Sequence, residues 1–415
     1  MSCKIGSSIF SDTEILATWD TDATISLLGN SFTFPTVLTL SGNCLDFFNL
    51  IGDDWFKNAF GHSLNENFDP AFPIITLDYL EDTQSEIDEY LIAEESSLNF
   101  ILPVNEPAES VFTINFPSTL TDAPVFIPEL EILIVPTEDR LYLYGDSLDI
   151  PAAKISFNGS EIVALTGNLC YFINPSNTGD IWQITIPNID HRYDPVCFLD
   201  SQNSSNNMVY FFTETREIWR IQDYQADLIF RLYPYTDKLP TQLALGNFID
   251  QDMIHLAFAA GERVFAISQD GSLARYFPAF LEGKDCLAFS YPKILRMKED
   301  SILLFEENQG YWAVDQEANP RPEYSLFWNK TGSPDIFFWD EREQKLRFVY
   351  LDGGNSLLAS SLPGFDQDPV IWNGFRNNNY ACYQGTVPVE IIPQDNLQAF
   401  AYPNPAAGGE VRIRV

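Results

Sequence analysis

The stretch Leu243–Pro278, LALGNFIDQDMIHLAFAAGERVFAISQDGSLARYFP, decides the fold. Ile254 to Phe258 reads as one apolar run around His255, and Gly261-Glu262 can turn the chain. Arg263 to Ile267 forms a second strand, and Asp270-Gly271 pairs a short polar side chain with free φ, as tight turns require. Leu273 to Phe277 offers a third strand, stopped by Pro278. Length and β-branched and aromatic content disfavour helices here.

Pieces of this pattern recur. Val264-Phe265-Ala266-Ile267-Ser268 is echoed by Cys170-Tyr171-Phe172-Ile173-Asn174, Ile218-Trp219-Arg220-Ile221-Gln222 and Tyr311-Trp312-Ala313-Val314-Asp315. The aromatic markers at 171, 219, 265 and 312 are 48, 46 and 47 residues apart. Leu141-Tyr142-Leu143-Tyr144-Gly145 is a fainter copy. Short strands and turns repeating at this period predict propeller blades, each a small antiparallel sheet. Met208–Phe212, Ile302–Phe305 and Ile336–Trp339 are apolar on both faces, as strands covered by sheets on either side should be. The expected fold class is an all-β propeller of about seven blades, within a range of six to eight, over residues 1–386.

The stretch resembles the FG-GAP and related extracellular propeller repeats through Gly246-Asn247-Phe248, Asp250, the run to Phe258, Gly261, Asp270-Gly271 and Phe277-Pro278. That resemblance implies a propeller outside the cell. The family's calcium loop is reduced to Asn247, Asp250 and Asp252, without the closing glycine. Three side-chain donors fall short of the six to eight oxygens calcium takes, so no cofactor is expected.

Toward the N-terminus the repeat fades. Ile15–Trp19, Ala23–Leu28 and Val37–Leu40 are expected strands, and residues 44–70 are the best place for a short helix or an inserted loop. Residues 81–95 carry seven acidic side chains, which reads as a solvated loop or hairpin tip. Leu98–Leu102, Val111–Phe116 and Ile132–Val135 restore the strand rhythm.

Residues 387–396 read as a linker. The following Ala401-Tyr402-Pro403-Asn404-Pro405 and Glu410–Val415 resemble the opening of the type IX secretion C-terminal sorting domain, or a related FlgD-like immunoglobulin fold. The resemblance implies that Tyr402, Pro403, Asn404 and Pro405 belong to a sorting segment at 397–415. It also implies an extracellular or outer-surface location on a Gram-negative bacterium, reached through secretion machinery. Only the first strand of such a domain is present, and no signal peptide opens the chain; both are expected of a fragment of a longer protein. No run approaches the 18 apolar residues of a membrane span.

The 415 residues carry a formal net charge of −36. Residues 1–139 hold 24 acidic side chains against only Lys4 and Lys57. Such a field repels phosphate backbones and excludes nucleic acid as a partner, leaving an unknown protein or carbohydrate ligand. Six cysteines form no Cys-x-x-Cys pair; Cys170 is expected in a strand core, and Cys170 with Cys197 is the nearest candidate disulfide.

Catalytic motifs are absent: no nucleophile elbow, zinc-binding helix, P-loop or dinucleotide fingerprint occurs. The loop Asp190-His191-Arg192-Tyr193-Asp194 combines a possible base, two carboxylates and a cation. It reads either as a functional loop at Asp190, His191, Arg192 and Asp194 or as hydrogen bonding internal to the loop. His255 reads as a packed or rim side chain. Trp55, Trp339 and Trp372 are candidates for stacking on sugars. No residue is assigned a catalytic role, and the expected function is a non-catalytic interaction or adhesion module. The alternative is a propeller enzyme acting on polysaccharide, or the accessory domain of a secreted hydrolase. A cluster of Asp, Glu, His or Tyr at the axial mouth would favour the enzyme, and an apolar axis would favour binding.

Overall fold

The computed structural model describes residues 11–18, 24–28, 36–41, 44–51, 54–57, 62–63, 72, 75–77, 89–101, 110–127, 130–143, 146–200, 203, 206–249, 253–297, 300–308, 310–327, 335–340, 343–352, 356–362, 365–372 and 382–385. Among the described residues eight sheets follow one another along the chain, antiparallel except for one added parallel strand. We number them blades 1 to 8, over 24–57, 75–115, 125–148, 154–185, 196–231, 244–280, 293–327 and 336–362. The described sheets number eight, at the upper end of the expected range.

Blade 8 supplies three strands of its own. Its fourth is Ser11–Thr18, paired with Ser356–Leu362. The first strand of the chain thus completes the last blade and closes the ring. A sheet alone leaves two unpaired edges, and circular closure shields them. The first strands of successive blades touch one another, as in blades 3 to 7, so they are the innermost.

The aromatic markers fall at equivalent places. Tyr171, Trp219, Phe265 and Trp312 all lie on third strands, opposite Ala164, Phe211, Phe258 and Phe305 of the second strands. The second strands are the buried ones: every residue of Met208–Phe212 and of His255–Ala260 is buried. Between blades 5 and 6 the rings of Phe212, Phe230, Phe258 and Phe265 pack at centroid distances of 4.9 to 6.0 Å. Two-faced burial of these runs matches their lack of alternation.

Three local expectations are revised. Residues 44–57 form strands Cys44–Ile51 and Asp54–Lys57 rather than a helix, joined in one sheet with Thr36–Ser41. The third strand of the opening stretch lies after Pro278, at Ala279–Phe280, because Tyr276 takes a positive φ of 74° and breaks the extended chain. Cys170 and Cys197 are buried free thiols rather than a disulfide, and the Cys197 sulfur lies 3.2 Å from the Ser156 hydroxyl. Burial pushes the Cys170 thiol pKa well up, with Cys197 and Glu161 adding to the rise.

Gly271 shows why the turn needs glycine. Its φ is +85°, and a Cβ there would stand 1.9 Å from the Ile229 carbonyl oxygen of the neighbouring blade.

After blade 8 the chain turns inward. Phe365–Trp372 pairs antiparallel with the inner strand Lys293–Met297 of blade 7. Cys382–Gly385 pairs parallel with the inner strand Val196–Asp200 of blade 5. Both touch the inner strand Ala244–Gly246 of blade 6, so both lie on the axial side. No described helix is long and apolar enough to cross a membrane.

Candidate functional site

Each inner strand begins at the same end of the propeller, and polar side chains gather there. Asp122 precedes the inner strand of blade 3, and Lys154 is the first residue of that of blade 4. Asp194 and Gln242 precede those of blades 5 and 6. Lys293 opens that of blade 7, and Asp335 precedes that of blade 8. Backbone N–H groups at and just before the start of a strand need acceptors, and side-chain oxygens supply them. Ile155 N–H donates to Asp122 Oδ2 at 3.0 Å, and Asp194 N–H donates to Gln242 Oε1 at 2.9 Å.

These groups link blade to blade. Lys154 Nζ lies 2.6 Å from Asp194 Oδ1 and 3.4 Å from Asp122 Oδ1. The contact with Asp194 Oδ1 is an ion pair. The Tyr291 hydroxyl donates to Asp194 Oδ2 at 2.8 Å. Farther round, Lys293 Nζ stands 2.7 Å from Asp335 Oδ1, and the Tyr311 hydroxyl donates to the same oxygen at 3.1 Å. Burial raises the Tyr311 pKa well above its ordinary value, and the Asp335 charge adds to the rise. Carboxylates, lysines and tyrosines thus form a belt of alternating charge at the axial mouth, spread over blades 3 to 8.

The loop at 190–194 is part of this end, and the structure divides it. Arg192 and Asp190 form a bidentate pair, with Nε–Oδ1 at 2.8 Å and Nη2–Oδ2 at 2.6 Å. That hydrogen bonding to Asp190 raises the guanidinium pKa. The half-exposed guanidinium lies 4.9 Å from the Phe289 ring centroid. His191 Nε2 donates to the Gly167 carbonyl at 3.0 Å, tying the loop to blade 4. Tyr193 is buried, and its hydroxyl donates to the Pro240 carbonyl at 3.1 Å. Asp194 turns inward to Lys154. So Asp190, itself buried, is paired with the half-exposed Arg192, whereas Asp194 belongs to the belt; the four candidate residues do not converge on one point.

Other candidates separate as well. His255 is buried, with Nδ1 3.1 Å from the Met253 carbonyl. Asn247 Oδ1 accepts from Arg296 at 2.7 Å, while Asp250 and Asp252 lie outside the described residues. So do Tyr402, Pro403, Asn404 and Pro405, and all of 387–415. Trp372 is 1% exposed against the axis, which removes it from any sugar-stacking surface.

Sequence reasoning missed Asp122, Lys154, Tyr291, Lys293 and Asp335. A signal existed. Lys154-Ile155 and Lys293-Ile294 each open a strand-length segment, and they stand 139 residues apart, about three marker spacings.

No protein-family model matches the chain, and no curated protein sequence matches it. Among solved structures, BBS1N from its complex with ARL6DN is similar at 12% identity, over 86% of this chain and 97% of that one, with a TM-score of 0.45. The AfRom2 CNH domain is similar at 9% identity, over 86% and 100%, with a TM-score of 0.43. BamB from Moraxella catarrhalis is similar at 8% identity, over 70% and 98%, with a TM-score of 0.39. The propeller assignment rests on the eight sheets themselves.

Proposed function

We propose that this propeller is a non-catalytic interaction or adhesion module, displayed at the outer surface of a Gram-negative cell or released from it. The observation that carries the reading is the state of the axis. Its mouth is lined by charges turned onto one another, such as Lys154 with Asp194 and Lys293 with Asp335. Its interior takes up the chain's own strands, Phe365–Trp372 and Cys382–Gly385. Binding then falls to the outer surfaces of the blades. The extracellular location rests on the FG-GAP-like stretch and on the sorting-type segment with Tyr402, Pro403, Asn404 and Pro405.

One observation favours the enzyme reading. Asp122 and Asp194 flank Lys154, with Tyr291 bonded to Asp194, and paired carboxylates can cleave glycosides. The two readings separate in one set of measurements. Tagged protein in its native host should appear at the surface or in the medium, and deletion of 397–415 should retain it inside. Purified protein should release no reducing ends from neutral or acidic polysaccharides. Release that Asp194→Asn abolishes would replace the binding reading with the enzyme, and retention inside regardless of the tail would overturn the location.

A further inference from the structure

The propeller is complete before its axial strands are added. Blades 5 and 7 each have four strands of their own, and Ser11–Thr18 closes the ring. The inner edges of blades 5 and 7 would otherwise present unpaired main-chain groups to the axis. Such edges accept extended polypeptide, with main-chain bonds giving affinity and side-chain anchors giving selectivity.

The occupying segment is held unevenly. Against blade 7 it pairs Met297 with Phe365, Leu295 with Val370 and Ile294 with Trp372, with two breaks of register over eight residues. Pro369 within it has no N–H to donate. Against blade 5 it makes one parallel stretch of four residues. Two side chains anchor it. Ile371 and Trp372 are buried with the core of blades 5 to 7. Gly246 of blade 6 is shaped to the first anchor: a Cβ there would lie 2.4 Å from Ile371 Cγ2. The second anchor is imperfect, since the buried Trp372 indole N–H has no hydrogen-bond partner. Direction follows from pairing. Phe365–Trp372 runs up the axis toward the charged belt along blade 7, and Cys382–Gly385 runs down along blade 5, away from the belt.

We propose that the inner edges of blades 5 and 7, with Gly246 between them, form a strand-binding slot whose ligand is an extended polypeptide. Phe365–Trp372 and Cys382–Gly385 of the same chain fill it as exchangeable strands. The slot stands independently of the interaction-module reading.

Hydrogen exchange on the unaltered full chain tests exchangeability first. Amides of 370–372 and 382–385 should exchange at least about a hundredfold faster than those of Leu256–Phe258, through local opening. Exchange of both sets in one cooperative step would overturn the proposal. Second, full-length chain carrying Ile371→Asp and Trp372→Asp should vacate the slot. A labelled synthetic peptide of residues 363–386 should bind that variant about tenfold or more tighter than the unaltered chain. Adding Gly246→Val should abolish this binding. Equal binding with and without Gly246→Val, or no binding to a folded vacated variant, would refute the slot. If the double substitution unfolds the chain, the exchange measurement decides alone. Light scattering should give a monomer, and a dimer with exchanged tails would refute occupancy within one chain.

Discussion

Lys154 and Lys293 hold the same place, the first residue of an inner strand, in blades 4 and 7. Their surroundings differ. Lys154 sits between two carboxylates from neighbouring blades, and its side chain keeps 17% exposure. Lys293 pairs with Asp335 and keeps 4%. Its Nζ also lies 5.3 Å from the Phe337 centroid and 5.7 Å from that of Tyr311, over the ring faces. The first lysine shares its charge within a polar group that retains some water. The second is sealed among aromatic rings. Position in the repeat therefore sets the residue type, while the neighbouring blade sets how much the pair depends on each partner.

Lys293→Met should strand Asp335, which is itself almost fully buried, and lower the unfolding free energy in urea by about 3–5 kcal/mol. Adding Asp335→Leu should recover most of that loss, because a dry apolar pair needs no compensating charge. A double variant as unstable as the single one would break the comparison at its stronger end.

Lys154→Met should cost less, about 1–3 kcal/mol. Asp122 keeps the N–H groups of Ala123 and Ile155, and Asp194 keeps the Tyr291 hydroxyl. A loss larger than that of Lys293→Met would reverse the order of the two sites.

The smallest effect at neutral pH is expected from Tyr311→Phe, about 1 kcal/mol for the lost bond to Asp335. Its sharper signature is alkaline. The folded pKa is raised by burial and by Asp335, so the unfolded chain ionises first, near pH 10. The stability this tyrosine contributes is full below about pH 10 and drains as pH rises beyond it. Stability of the Tyr311→Phe variant should fall less steeply above that pH than stability of the parent. Identical alkaline slopes would show that Tyr311 does not sense the sealed site.

Legibility followed the same division. The markers Tyr171, Trp219, Phe265 and Trp312 could be read because blade packing repeats its demand for a large ring at one position. The strand Cys44–Ile51 was harder, since Leu45, Phe47, Phe48 and Leu50 suit a helix face as well as a strand covered on both sides. The candidate site was readable at Asp190–Asp194, where its residues adjoin in sequence. Its belt was not, because Lys154 and Asp194 lie 40 residues apart and Lys293 and Asp335 lie 42 apart.

What the sequence determined by itself is local: strand runs with no alternation, turns at Gly261 and Gly271, and a period near 47 that, filled with short strands and turns, a repeated sheet satisfies. These depend on burial and backbone freedom over a few residues, and each repeat states them again. Tertiary structure alone decided what depends on blades meeting: closure by Ser11–Thr18, the charged belt at the axial mouth, and the axial course of Phe365–Trp372 and Cys382–Gly385. Those contacts join residues tens to hundreds of positions apart. Their partners are chosen by where the ring brings unpaired edges and unmatched charges together, which no single repeat encodes.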